Sequence, residues 1–346
     1  MEITCLIQHG DAIQVPVLVK ASLTLKRKNT PGQLTFSVVK DQDLTVEEGD
    51  AVKRKNTPGQ LTFSVVKDQD LTVEEGDAVK LTVDGVTVFY GFVFIRDQDA
   101  GPLLEATAYD QLRYLKNKDT FIGEGLKASD LVRRLAEDFR LNLGTVEDTG
   151  HTLETIVEEN QTLFDMIQNA LDETLKATGK LYVLYDDAGR LTLQNIEALK
   201  LDLLVDAGSG STFRYRSSID SETYNKIKLS YNNPDTGKRE IYLSQDGEAL
   251  NRWGVLQHSE SLQNPAGAAA RADALLQLYN RKTQSLTVQK VFGDPRVRGG
   301  SAVGVVLQLE QGLTLSRYMV VEQVTHTFAQ GLHQMDLDLM GGDFIA

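Results

Sequence analysis

The sequence predicts a β-rich α+β protein in which a helical segment sits between two β regions. Three observations carry that prediction. Stretches near both ends, such as IQVPVLVKASLTLK (13–26) and RYMVVEQVTHTF (317–328), alternate or run with β-branched and aromatic residues. Helical spacing is concentrated at 129–178, with one later helix. Turn signals, among them Asp84-Gly85 and NPDTG (233–237), fall between the strand-like stretches. Alternating strands, then helices, then strands argue an α+β fold with two β modules, each a barrel or a sandwich.

Taken in chain order, EITCLIQ, IQVPVLVKASLTLK, AVKLTVDGVTVFYGFVFIRD and LLEATAYD read as strands, with a hairpin turning at Asp84-Gly85. Ser129 is placed to cap a helix over DLVRRLAEDF, with Asp130 favoured by the dipole and Leu131, Leu135 and Phe139 as its apolar stripe. Thr162 opens a second helix, LFDMIQNALDETLKAT. Asp165 stands at the capping-box position and Gly179 where a C′ glycine belongs. A hairpin follows at 180–195, turning at Asp187-Ala188-Gly189, and GSGS (208–211) reads as a linker. Strands return at STFRYRSSI, YNKIKLSYNN and KREIYLSQ. A third helix is expected from Asn264-Pro265 through AAARADALLQLYN, then four closing strands up to HQMDLDLM.

One feature interrupts this order. Residues 27–53 and 54–80 are identical, so removing one copy leaves 319 residues. Solenoid arrays need about three units, and stacked units meet different neighbours and diverge. These copies agree even at polar Lys40/Lys67, Gln42/Gln69 and Glu47/Glu74. They read as a recent tandem duplication or a copying error. Only one copy of the strand QLTFSVV (33–39 or 60–66) is expected in a given strand position, the other looping out or adding an edge hairpin.

The charge balance of −13, from 36 basic and 49 acidic side chains, disfavours nucleic-acid binding, which needs clustered cations. The cluster Lys26, Arg27, Lys28, repeated at Lys53, Arg54, Lys55, is followed by acidic runs. No apolar stretch approaches a membrane span, and no secretory signal is readable. Cys5 is the single cysteine, which excludes an intramolecular disulfide and the Cys-pair zinc patterns.

Chemistry-bearing groups are scattered. His9, His151, His258, His326 and His333 lack HxxxH spacing, although a hairpin could bring His326 and His333 together. Glu158-Glu159, Asp186-Asp187 and the DQD triplets at 41–43, 68–70 and 97–99 read as solvated turns and strand faces. Adjacent strand residues point apart, and the triplets lack a calcium loop's glycine and terminal glutamate. GSGS is not a GxSxG elbow, and no phosphate-binding glycine motif occurs. No catalytic, cofactor-binding or metal residue and no cofactor is assigned. The competing reading, a peptidoglycan hydrolase, would rest on Asp186 and Glu158.

Several segments in order carry a resemblance: VFYGFVFIRD, ATAYDQLRYLKNKDTF, EDTG, LYVLYDDAGRLTLQNI, SIDSETYNKIKLSYNNPDTGKREIYLSQD, LNRWGVLQ, GDPRVRGGSAVGV and VVEQVTHTF…MDLDL. Together they resemble the XkdQ-like baseplate hub proteins of contractile phage tails, prophage particles and tail-like bacteriocins, relatives of the late control gene D hubs. The resemblance implies two small, tube-like β-barrel modules with an inserted α+β segment. It divides the chain into 1–108, which holds the duplication, a helical insertion at 109–210, and 211–346 with a helix near 264–280. It implies a non-enzymatic homotrimer joining the tail tube protein to a central spike protein. Tape-measure and LysM-bearing baseplate proteins are further partners, with no specific nucleic acid, no membrane insertion and assembly in bacterial cytoplasm. A secretion spike hub of the VgrG type is the related alternative, and the second 27-residue copy departs from the family pattern.

Overall fold

The computed structural model describes residues 2–28, 33–37, 63–66, 72–98 and 103–341, apart from 17, 19, 207, 221, 310–313 and 330. Strands account for 54% and helices for 20%, so the chain is mostly β.

The N-terminal strands are β1 (Ile3–His9), β2 (Ala12–Gln14), β3 (Lys20–Lys26), β4 (Gln33–Ser37), β5 (Phe63–Val66), β6 (Ala78–Val83), β7 (Val86–Gln98) and β8 (Leu103–Tyr109). Their alternation is real: on β6 every second residue (Val79, Leu81, Val83) is buried. Asp84 and Gly85 both take positive φ, as the predicted two-residue turn requires. Cys5, Ile7, Leu23, Leu81, Phe89 and Val93 centre the first core.

The next segment holds β9 (Lys118–Lys127), α1 (Ala128–Asp138), β10 (Leu143–Val146), β11 (Thr152–Thr162), α2 (Leu163–Thr178), β12 (Tyr182–Asp186) and β13 (Leu191–Asn195). Both helices bury one stripe into a second core with the β12–β13 hairpin. The Thr162 hydroxyl accepts from the Asp165 amide (3.1 Å), and Gly179 ends α2 at φ 70°. Ser129 is not the cap of α1. It is fully buried and faces Thr149, while Lys127 takes the cap position and Asp130 accepts its amide at 3.2 Å.

The last part contains β14 (Lys200–Asp206), β15 (Thr212–Ser218), β16 (Lys226–Asn232), β17 (Arg239–Gln245), α3 (Gly247–Trp253), β18 (Gln257–Leu262), α4 (Ala268–Tyr279), β19 (Thr283–Phe292), β20 (Ala302–Gln308), β21 (Thr314–Ala329) and β22 (Leu332–Gly341). Helix α4 starts after Gly267, which is left-handed, and so begins later than Asn264-Pro265. Strands β16, β17 and β18 form a separate sheet against α4. The NPDTG hairpin thus belongs to its own α+β unit rather than to the main sheet. Helix α3, capped by Asp246, was not foreseen.

The expected pair of closed barrels is not formed. Fourteen strands from both ends of the chain make one sheet, and its main path runs open from β15 to β2. The reason lies in β21. At 16 residues it pairs with β20 over Thr314–Val320 and with β3 over Gln323–Ala329, while β22 pairs with it over Met319–Ala329. Backbone bonds of its second half go to the N-terminal module instead of to closure. Two separate cores, one per β module, lie along this shared sheet.

Both repeat copies contribute a strand: β4 comes from the first and β5 from the second, and each pairs with β8. Residues 27–28 and 72–80 of the repeat are described as well: Val73 and Val79 are buried in the first core, and Ala78–Lys80 open β6, so the end of the second copy is built into the fold. The stretches 29–32, 38–62 and 67–71, on which the expected loop-out falls, lie outside the described residues.

Candidate assembly site

The loop between β19 and β20 holds the segment GDPRVRGG (293–300), and the units of the chain converge on it. A Cβ on Gly299 would overlap the backbone at Lys26–Arg27, so the glycine lets the N-terminal module approach closely. A Cβ on Gly300, at φ 90°, would overlap Val183 of the insertion. Arg298 donates to the Asp186 carbonyl (3.2 Å), lies 3.4 Å from the Asp187 carboxylate and stacks 4.4 Å from the Tyr185 ring. The Val297 carbonyl accepts from His326 at 2.8 Å. Asp294 holds Arg296 through bonds of 3.0 and 2.6 Å; burial works to raise its carboxyl, but those bonds keep it below the ordinary value.

Ion pairs extend this junction. Arg27, 8% exposed, donates to Glu322 at 2.7 Å and joins the two β modules. Lys28 reaches Asp172 of α2 at 3.5 Å. The basic cluster at 26–28 is therefore spent largely on internal contacts, and its copy at 53–55 lies outside the described residues. Arg271 of α4 bonds Glu173 of α2 (2.9 Å) and Glu260 of β18 (2.7 Å). Burial acts to raise Glu173, but Lys176 and Arg271 outweigh it and hold the carboxylate below its usual range. Gly299→Ala is expected to destabilise the protein by about 1–3 kcal/mol, because the new methyl meets backbone rather than a yielding side chain. A urea midpoint equal to that of the parent would refute this.

The singled-out carboxylates are dispersed. Glu158 lies on β11 and accepts from Asn169 at 2.9 Å. Asp186 lies in the β12–β13 hairpin, where it accepts from the Gly189 amide at 2.7 Å and burial raises it to about 6. Asp97 is exposed on β7, opposite Glu105. The triplets at 41–43 and 68–70 are outside the described residues. His326 and His333 do meet, at 2.9 Å, as a hydrogen-bonded pair. Among the described residues, no group of three or more His, Cys, Asp or Glu is placed to hold a metal, and no helix is long and apolar enough to cross a membrane.

What the surface offers is edges and isolated apolar side chains. Strands β2 and β15 end the path of the main sheet, and among the described residues no strand pairs with the outer side of either. Phe213, Arg214 and Arg216 are exposed on β15, and Ile13 on β2. Ile122 and Val157 oppose each other on the β9–β11 ribbon, both exposed. Ile241 and Leu243 stand on edge strand β17. Sequence reasoning missed Arg27, Arg271 and Arg298 as junction residues. Only the Gly- and Arg-rich composition of GDPRVRGG signalled one.

A long shared sheet, two β cores and a glycine–arginine junction define a β-rich protein whose modules are held together at one loop. The fold is that of phage tail proteins. It matches the 43 kDa tail protein of prophage MuSo2 from Shewanella oneidensis at a TM-score of 0.63 (13% identity, covering 98% of this chain and 96% of that one). It also matches a tail protein from Neisseria meningitidis MC58 at 0.64 (11% identity, 99% and 98%). The phage-like element PBSX protein XkdQ of Bacillus subtilis is 30% identical over 262 residues, which is 74% of this chain and 78% of that protein. The YQBQ-like family model matches residues 52–340. The chain belongs to the YQBQ-like family, and the XkdQ-like resemblance read from its sequence holds.

Proposed function

We propose that this protein is the structural hub of a tail baseplate, a homotrimeric adaptor joining the tail tube to a central spike. The observation that carries this reading is the pair of β cores set along one continuous sheet. Two β modules per subunit give six β modules in a trimer, which matches a sixfold tube on one side and a threefold spike on the other. The close approach of Gly299 to Lys26–Arg27 and the Arg27–Glu322 pair fix the two modules relative to each other, as an adaptor that transmits force requires. The insertion, with its own core, decorates the outside of that ring. In this arrangement an acidic channel wall, for which a net charge of −13 leaves ample carboxylates, repels DNA.

The test is mass and partner binding. A trimer of about 115 kDa, three times the chain mass of 38.3 kDa, together with capture of a tail tube protein and a spike protein from the same particle, is the expected result. A monomer that binds neither protein would sink the proposal.

A further inference from the structure

The two repeat strands meet β8 in a way their sequence identity explains. Gln33 and Leu34 of the first copy pair with Tyr109 and Ala108. Phe63, Ser64, Val65 and Val66 of the second pair with Ala106, Glu105, Leu104 and Leu103. Each residue of the second copy stands 27 positions after its equivalent in the first, so Phe63 corresponds to Phe36 and Val66 to Val39. In the register set by Gln33 and Leu34, a continuous first copy would place Phe36 opposite Ala106 and Val39 opposite Leu103. Those are the places the equivalent residues of the second copy occupy. One strand position beside β8 is filled from two copies in the register common to both.

We propose that the two 27-residue copies are interchangeable claimants to this single strand position, so that one copy suffices for the fold and the other is a spare strand. Register in a sheet is fixed by which face of the strand is buried, and identical sequences satisfy the same register equally. Exchange of one copy for the other therefore leaves the β8 ladder with the same residues at the same places. The other side of the position agrees: β4 of the first copy pairs with Lys20–Thr24 of β3, and the second copy carries the same residues for that role. The family match, which starts at residue 52, takes in one complete copy.

Two sets of variants test this. Deleting 54–80, which gives the same 319-residue chain as deleting 27–53, should leave the circular dichroism spectrum unchanged. It should leave the melting temperature equal or a few degrees higher, because fewer residues then separate the strands that pair. Proline cannot donate to a ladder, so it marks which copy is in use. Val65→Pro alone and Val38→Pro alone should each lower the melting temperature by no more than about 2 °C, since the intact copy fills the position. The double variant should lose about 4 °C or more, or fail to fold, because neither copy can then serve. Val38→Pro in the 319-residue chain should match the double variant. The proposal is overturned if Val65→Pro alone costs as much as the double variant, if the double variant costs no more than either single, or if the 319-residue chain melts several degrees lower or does not fold.

Discussion

Replacing Phe328 by alanine should cost about 3–5 kcal/mol, the range for emptying a fully buried aromatic site. Phe328 is 1% exposed, and its position makes the loss structural rather than local. It sits on β21 yet packs in the N-terminal core, opposite Ala21 of β3, with its ring stacked 4.3 Å from that of His333. The side chain therefore ties the strand that both modules share to the module that lies further from it in sequence. The surrounding strands are held by ladder bonds on both sides, which limits collapse into the cavity. In a chain of this size the expected fall in melting temperature is about 4–7 °C. Phe292→Ala supplies the control: that ring is 80% exposed, and its loss should stay within about 0.5 kcal/mol. Urea unfolding that gives the two variants equal midpoints would show that Phe328 does not hold the modules together.

How much of this was legible in the sequence follows from the range of each interaction. The α2 helix was readable at both ends, because Thr162, Asp165 and Gly179 act within one turn. The hairpin at Asp84-Gly85 was readable for the same reason. The Ser129 cap failed because a contact with Thr149, 20 residues away, turned the serine inward. Barrel closure failed on a longer scale. Whether Gln323–Ala329 pairs within its own module or with Lys20–Lys26 is decided some 300 residues apart, and alternation alone cannot distinguish those partners. The junction arginines were invisible for a related reason. Nothing near Arg27 announces Glu322, and nothing near Arg271 announces Glu173. The family resemblance, by contrast, rested on ordered segments spread along the chain. It identified the family, which local chemistry could not.

Acid should weaken the protein through the histidine pair, and the sign follows from the bonds. The Val297 carbonyl can only accept, so Nε2 of His326 carries its proton and Nδ1 accepts from Nε2 of His333. Both rings are neutral and satisfied. Burial first, then the neighbouring His333, holds His326 down at about 3. Burial likewise lowers His333 to about 4, although Asp294 and Asp84 pull the other way. Both values lie below the ordinary 6.5. Between those limits the unfolded chain binds more protons than the folded one, so stability is complete above about pH 6.5 and is lost as the pH falls toward 4 and then 3. The expected loss is on the order of a few kcal/mol, reduced for His333 because its ring is partly open to screening solvent. Asp186 opposes this. Its raised value of about 6 contributes stability that is present below its ordinary 3.8 and lost as the pH rises through 6, so it partly offsets the histidines on acidification. Unfolding measured at pH 7.5, 6, 5 and 4 separates the two. His326→Gln, which keeps a donor and an acceptor, should flatten the acid loss, and Asp186→Asn should steepen it. Parallel curves for the parent and both variants would place the acid sensitivity in other groups.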